Sequence, residues 1–75
     1  MNSNSAQVEA LIASVLNLPS SAVNAESSME TVPAWDSLGH LNICLAFEER
    51  FGVPMDMETI ADATSVARLA ALIPA

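Results

Sequence analysis

Seventy-five residues, 52% of them hydrophobic, suffice for one small domain and exclude two; a core of this size contributes no more than about 3 to 5 kcal/mol without staples. Nine acidic side chains against two arginines give a formal net charge of -7, which repels phosphate backbones and anionic headgroups and argues against binding to nucleic acid or membrane. The lone Cys44 cannot close an intramolecular disulfide, no Cys and His spacing suits a metal, no apolar run is long enough to span a bilayer, and the polar start Met1-Asn2-Ser3-Asn4-Ser5 lacks the order of a signal peptide, so a soluble cytoplasmic protein is expected.

The first predicted element is a helix from about residue 5 to Leu16, where Val8, Leu11, Ile12 and Val15 recur at i, i+3, i+4 and i+7. Asn4 with Gln7 three residues later is its candidate capping box, and residues 1–4 are expected to form a flexible tip. Periodicity then disappears from Asn17 to Asp36, a long connection carrying Pro19, Pro33 and six Ser or Asn residues. Connections of that length are usually functional or partly structured. Pro19 to Val23 fits one short turn, with Val23, Met29 and Val32 as apolar pins into the core.

The second helix is predicted from Ser37 to Phe51, with Asp36 or Ser37 as its cap and Gly52 as its stop. A short third helix, about Met57 to Ala61, follows Pro54 with Asp56 as cap. Thr64 or Ser65 caps the fourth, where Val66, Leu69, Ala70 and Ile73 repeat at helical spacing before Pro74. No strand alternation or internal repeat is present. The fold class is therefore all-α, a small four-helix bundle of three major helices and one short one, with a long loop between the first and second.

The second helix carries two apolar faces. At roughly 100° per residue, Ile43, Phe47 and Phe51 share one side, while Leu38, Leu41 and Leu45 gather nearly opposite. One core can bury only one of them. The leucines, flanked by Glu48 and Glu49, then form an apolar patch with an acidic rim of the kind that meets a partner; the alternative is that a neighbouring helix or loop covers them. The acidic field also attracts basic protein surfaces, although acidity equally serves solubility.

Asp36, Ser37 and His40 do not make a convincing hydrolase triad. Positions 37 and 40 are neighbours on a helix, but Asp36 sits beside the nucleophile rather than behind the histidine that it would have to orient. His40 shares the side of Ile43 and Phe47 and is expected to tuck against the core. Cys44 reads as a small hydrophobe on the flank of that face. Met29, Met55 and Met57 read as interior gap-fillers, or as the lining of an adaptable interior.

Asp36-Ser37-Leu38 at a helix start has surroundings that match much further. With Leu41, Ile43, Leu45, the Phe47-Glu48-Glu49 stretch, Phe51-Gly52-Val53, Ile60-Ala61-Asp62 and Thr64-Ser65-Val66, the chain closely resembles the acyl carrier protein family over essentially its whole length. The resemblance implies a carrier rather than an enzyme. In that family a phosphopantetheinyl transferase moves 4'-phosphopantetheine from coenzyme A onto the serine of the motif, here Ser37, and the arm holds acyl groups as thioesters. Partner enzymes, such as an acyl-loading synthetase, an acyltransferase or a ketosynthase, would grip Leu38, Leu41 and Leu45 and be steered by Asp36, Glu48 and Glu49.

Some positions depart from the pattern of fatty-acid carriers. Gly39 and Asn42 stand where acidic residues are frequent, Arg50 adds a positive charge, and Trp35 looks more like carriers of polyketide or other specialised pathways. Gly39 is expected to permit close approach of a partner or of the arm, or simply to be tolerated. A peptidyl or aminoacyl carrier is a weaker match, since a Gly-Gly-His-Ser type of attachment motif is absent. A non-modified acidic adaptor using the leucine face is the rival from another class. The initiating Met1 and the length suggest a freestanding protein, although an excised domain with an added methionine would look the same; a monomer is expected.

Overall fold

The computed structural model describes residues 3–74, and among them every regular element is helical. In chain order these are α1 (Ser3–Val15), a single 3-10 turn (Ser20–Ala22), α2 (Ser37–Phe51), α3 (Met57–Asp62) and α4 (Val66–Leu72). α1 packs against both α2 and α4. Their shared interior is filled by Val8 and Ile12 of α1, Ile43 and Phe47 of α2, and Val66 and Leu69 of α4, all fully buried. Removing each such side chain from water stabilises the fold by about 1.5–3 kcal/mol.

α1 begins earlier than its periodicity predicts. Asn4 lies inside the first turn rather than at the cap, while Ser5 Oγ donates to Glu9 Oε2 at 3.0 Å. The apolar repeat marks where burial starts, and a polar first turn precedes it. Of the four residues expected to form a flexible tip, Ser3 and Asn4 belong to α1, and Met1 and Asn2 lie outside the described residues. The other end of α1 closes through Asn17, whose φ of 58° is left-handed. Leu18 N–H then reaches back to Ala13 O at 2.8 Å, the six-to-one bond that satisfies an orphan carbonyl at a helix end.

The long connection is held at several points. Its short turn falls at Ser20–Ala22, Val23 and Val32 are buried as pins, and Met29 packs on the core from a half-buried position. An isolated antiparallel bridge pairs Ser28 with Ser65, through Met29 N–H to Thr64 O at 2.9 Å and Val66 N–H to Ser27 O at 3.0 Å. The loop is thereby stitched to the start of α4. Trp35, read in the sequence only as a pathway marker, is 1% exposed and is among the largest side chains of the core.

α3 runs one residue further than predicted, and Asp56 caps it by accepting Thr59 N–H at 2.8 Å. Ser65 caps α4 by accepting Arg68 N–H at 3.1 Å. Met55 packs against the core, but Met57 is 87% exposed and lines no interior. Its place as the first residue of a helix that buries none of its own side chains explains the difference.

Candidate functional site

α2 starts at a well-built terminus. Asp36 has extended backbone, φ -98° and ψ -172°, and its Oδ1 accepts Gly39 N–H at 2.8 Å. The first intrahelical bond runs from His40 N–H to Asp36 O at 2.7 Å. Ser37, the first helical residue, is exposed. Its amide and that of Leu38 come before any intrahelical acceptor is available, so they face outward at the positive end of the helix dipole. A hydroxyl beside two such donors suits the attachment of an anionic group.

Gly39 is buried, and its role differs from the expected approach of a partner or of the arm. A Cβ there would stand 2.9 Å from Leu16 Cδ2, 3.2 Å from the Ala34 carbonyl oxygen and 3.2 Å from Asp36 Oδ1. The glycine lets the start of α2 seat against the end of α1 and the preceding loop. This contact lies within the molecule.

The two faces of α2 separate as the wheel predicts. Ile43, Cys44 and Phe47 are buried, and Phe51 is half-buried with its ring centroid 4.8 Å from that of Phe47. On the other side Leu38 is 69% exposed, Leu41 49% and Leu45 65%, so no helix or loop among the described residues covers them. Asp36, Glu48 and Glu49 are exposed. The cations are otherwise occupied: Arg68 pairs with Asp62 at 2.7 Å, and the Arg50 guanidinium lies 5.7 Å from the Phe51 ring centre. Next to the leucines an open apolar groove of about 410 Å3 lies between α2 and α3, lined by Met29, His40, Leu41, Met57, Ile60 and Thr64 among others.

His40 is more deeply engaged than a residue merely tucked against the core. It is 5% exposed; Trp35 Nε1 lies 3.0 Å from its Nδ1, and the Ile60 carbonyl oxygen 2.6 Å from its Nε2. An indole N–H can only donate, so Nδ1 is the acceptor and Nε2–H donates to Ile60. Neither nitrogen has a lone pair left for the Ser37 hydroxyl, which removes the base that a hydrolase would need. Sequence periodicity located this residue on the buried side but gave no sign of its partners, one of them 20 positions away.

Cys44 Sγ lies 3.6 Å from His40 Nε2, and burial pushes the thiol up to about 11. It stays protonated and inert near neutrality. Among the described residues no three His, Cys, Asp or Glu side chains gather as a metal cluster, and no helix is long and apolar enough to cross a membrane.

A family profile described as "Phosphopantetheine attachment site" matches residues 6–73, from the first turns of α1 to the end of α4. No individual curated protein matches the chain.

Proposed function

Since the chain belongs to the family of proteins with a phosphopantetheine attachment site, we propose that Ser37 is the attachment residue and that the domain works as an acyl carrier protein. Domains of this family carry a covalently attached 4'-phosphopantetheine. The observation that supports Ser37 is its exposed place as the first residue of a capped, fifteen-residue helix. Ser20 also opens a helical segment, but one of three residues whose cap, Pro19, offers no side-chain bond. Ser65 has its hydroxyl committed to Arg68 N–H.

The residues at the head of α2 fit such a group. Two outward amides and the helix dipole, equivalent to roughly half a positive charge, favour a phosphodiester anion. The adjacent carboxylate, Asp36, turns an oxygen into Gly39 N–H. When attached, the arm supplies a terminal thiol on which an acyl group is held as a thioester. The chain's own residues do the rest. Asp36 fixes the helix start, Ser37 presents its oxygen to solvent, and activation of that oxygen is left to the transferase because His40 is committed to Trp35 and Ile60.

Leu38, Leu41 and Leu45 give partner enzymes a surface to desolvate, while Asp36, Glu48 and Glu49 attract basic residues on the phosphopantetheinyl transferase and on acyl-loading and acyl-using enzymes. The domain is a shuttle in the cytoplasm, not a catalyst. Between Asp36 and Glu48 α2 bears no carboxylate, which supports a polyketide, specialised or fatty-acid-like pathway whose partners depend less on charge than those of ordinary fatty-acid synthesis. Trp35 adds nothing to that choice, because its burial and its bond to His40 account for it.

Intact mass after incubation with coenzyme A and a broad-specificity phosphopantetheinyl transferase tests the proposal. The parent should gain one arm and Ser37→Ala none. An unchanged mass in the parent would leave the exposed leucines to an unmodified adaptor, and an arm on Ser37→Ala would move the attachment elsewhere.

A further inference from the structure

α3 is the least anchored helix of the four. It spans six residues and buries none of them, and a helix that short does not hold itself together in water. Its own bonds are local: Asp56 accepts from Thr59 N–H through its side chain and from Ile60 N–H through its carbonyl, and Thr59 O accepts from Ala63 N–H. It packs chiefly on α2. Two polar links reach other parts of the molecule. One is the Arg68–Asp62 pair, with both side chains more than half exposed and therefore screened by water. The other is the bond from His40 Nε2–H to the Ile60 carbonyl.

The far end of the His40 ring is fixed as firmly. Trp35 is 1% exposed, its indole donates to Nδ1, and the two ring centres stand 5.9 Å apart with the planes tilted by 34°. One imidazole thus spans from the loop just before Ser37 to the last turn of α3. We infer that His40 is a strut that sets the position of α3: when its bond to Ile60 is lost, α3 is released as a unit while α1, α2 and α4 stay folded. The groove wall formed by Met57 and Ile60 then moves away from Leu41 and Met29. His40 is in this sense a positioning residue for the surface beside the Ser37 helix, and nothing in the inference depends on Ser37 bearing an arm.

Amide hydrogen exchange by NMR on the unmodified protein tests it. In His40→Asn the side-chain oxygen still accepts from Trp35 but the amide is too short to reach Ile60. The Ile60 and Ala63 amides should exchange about tenfold faster relative to those of Ile12 and Leu69, the loss expected for one hydrogen bond in a shielded site. His40→Gln, long enough to donate to Ile60, should return them to within about twofold of the parent. Equal acceleration in all four helices, or a Gln variant as labile as Asn, would overturn the strut. Should both variants unfold, the ring nitrogen shifts of the parent decide. A protonated Nε2 with a bare Nδ1 is expected, and the opposite tautomer would overturn the assignment.

Discussion

Asp36 caps α2 and, in the proposed function, also steers the transferase; a pair of substitutions divides the two tasks. Its Oδ1 accepts Gly39 N–H at 2.8 Å, and Gly39 is packed too closely against Leu16 and Ala34 for an inserted side chain to replace that acceptor. Asp36→Ala should therefore lose a full cap, about 1 kcal/mol. For a domain of this size that lowers the thermal midpoint by roughly 4–8 °C, read by circular dichroism. Asp36→Asn keeps an oxygen in the same place and should recover at least half of the loss, the remainder being the favourable charge at the helix N-terminus. If Asp36 also steers the transferase, Asn should still load more slowly. A rim charge of about 0.5–1 kcal/mol corresponds to about two- to fivefold in kcat/KM. The deficit should vanish as added salt shortens the Debye length from about 10 Å at 0.1 M to about 3 Å at 1 M. An Asp36→Ala midpoint within about 1 °C of the parent would refute the capping argument. Equal loading of Asn and parent at every salt concentration would confine Asp36 to its structural task.

Leu41→Glu should fold, with a midpoint within a few degrees of the parent, because the residue is 49% exposed; loading by the transferase should fall by about tenfold or more, as for a central contact of an interface. A collapsed midpoint in that variant would place Leu41 in the core instead. Gly39→Ala should be destabilised by up to about 2 kcal/mol, an overpacking cost of about 1–3 set against a helix-propensity gain of up to about 1, since the Ala34 carbonyl oxygen 3.2 Å away is backbone and yields little. A variant more stable than the parent would show that the neighbours move aside. Burial raises Cys44 from 9.0 to about 11, so the stability it contributes is complete below pH 9 and is lost as pH rises through 11. Cys44→Ala should flatten that alkaline decline, and alkylation of the native thiol at about pH 8 should proceed only at the rate of unfolding; immediate alkylation would mean an open thiol.

The parts of this fold that were legible in the sequence are those written in local spacing. Ile43 and Phe47 against Leu38, Leu41 and Leu45 is a statement about one helix, and burial followed it residue by residue. Asp36, Asp56 and Ser65 each act three residues away and Gly52 four, and all four bound helices as expected. Contacts across the chain were not legible. Trp35, His40 and Ile60 meet over 25 positions, Gly39 owes its lack of a side chain to Leu16 and Ala34, and the stitch between Ser27 and Val66 uses backbone atoms that leave no side-chain pattern. Met57 departs from the interior place expected of it because an apolar residue at a helix start gives no clue to which way a six-residue helix leans.

The leucine face between Glu48 and Glu49 also has to avoid its own copies. Two such faces pressed together about a two-fold axis would match apolar area with apolar area, yet would bring four glutamates and two bodies of charge -7 into apposition, a like-charge penalty; the adjacent cation, Arg50, lies against the Phe51 ring. If these carboxylates attract partner enzymes, as proposed, the same charges oppose self-association.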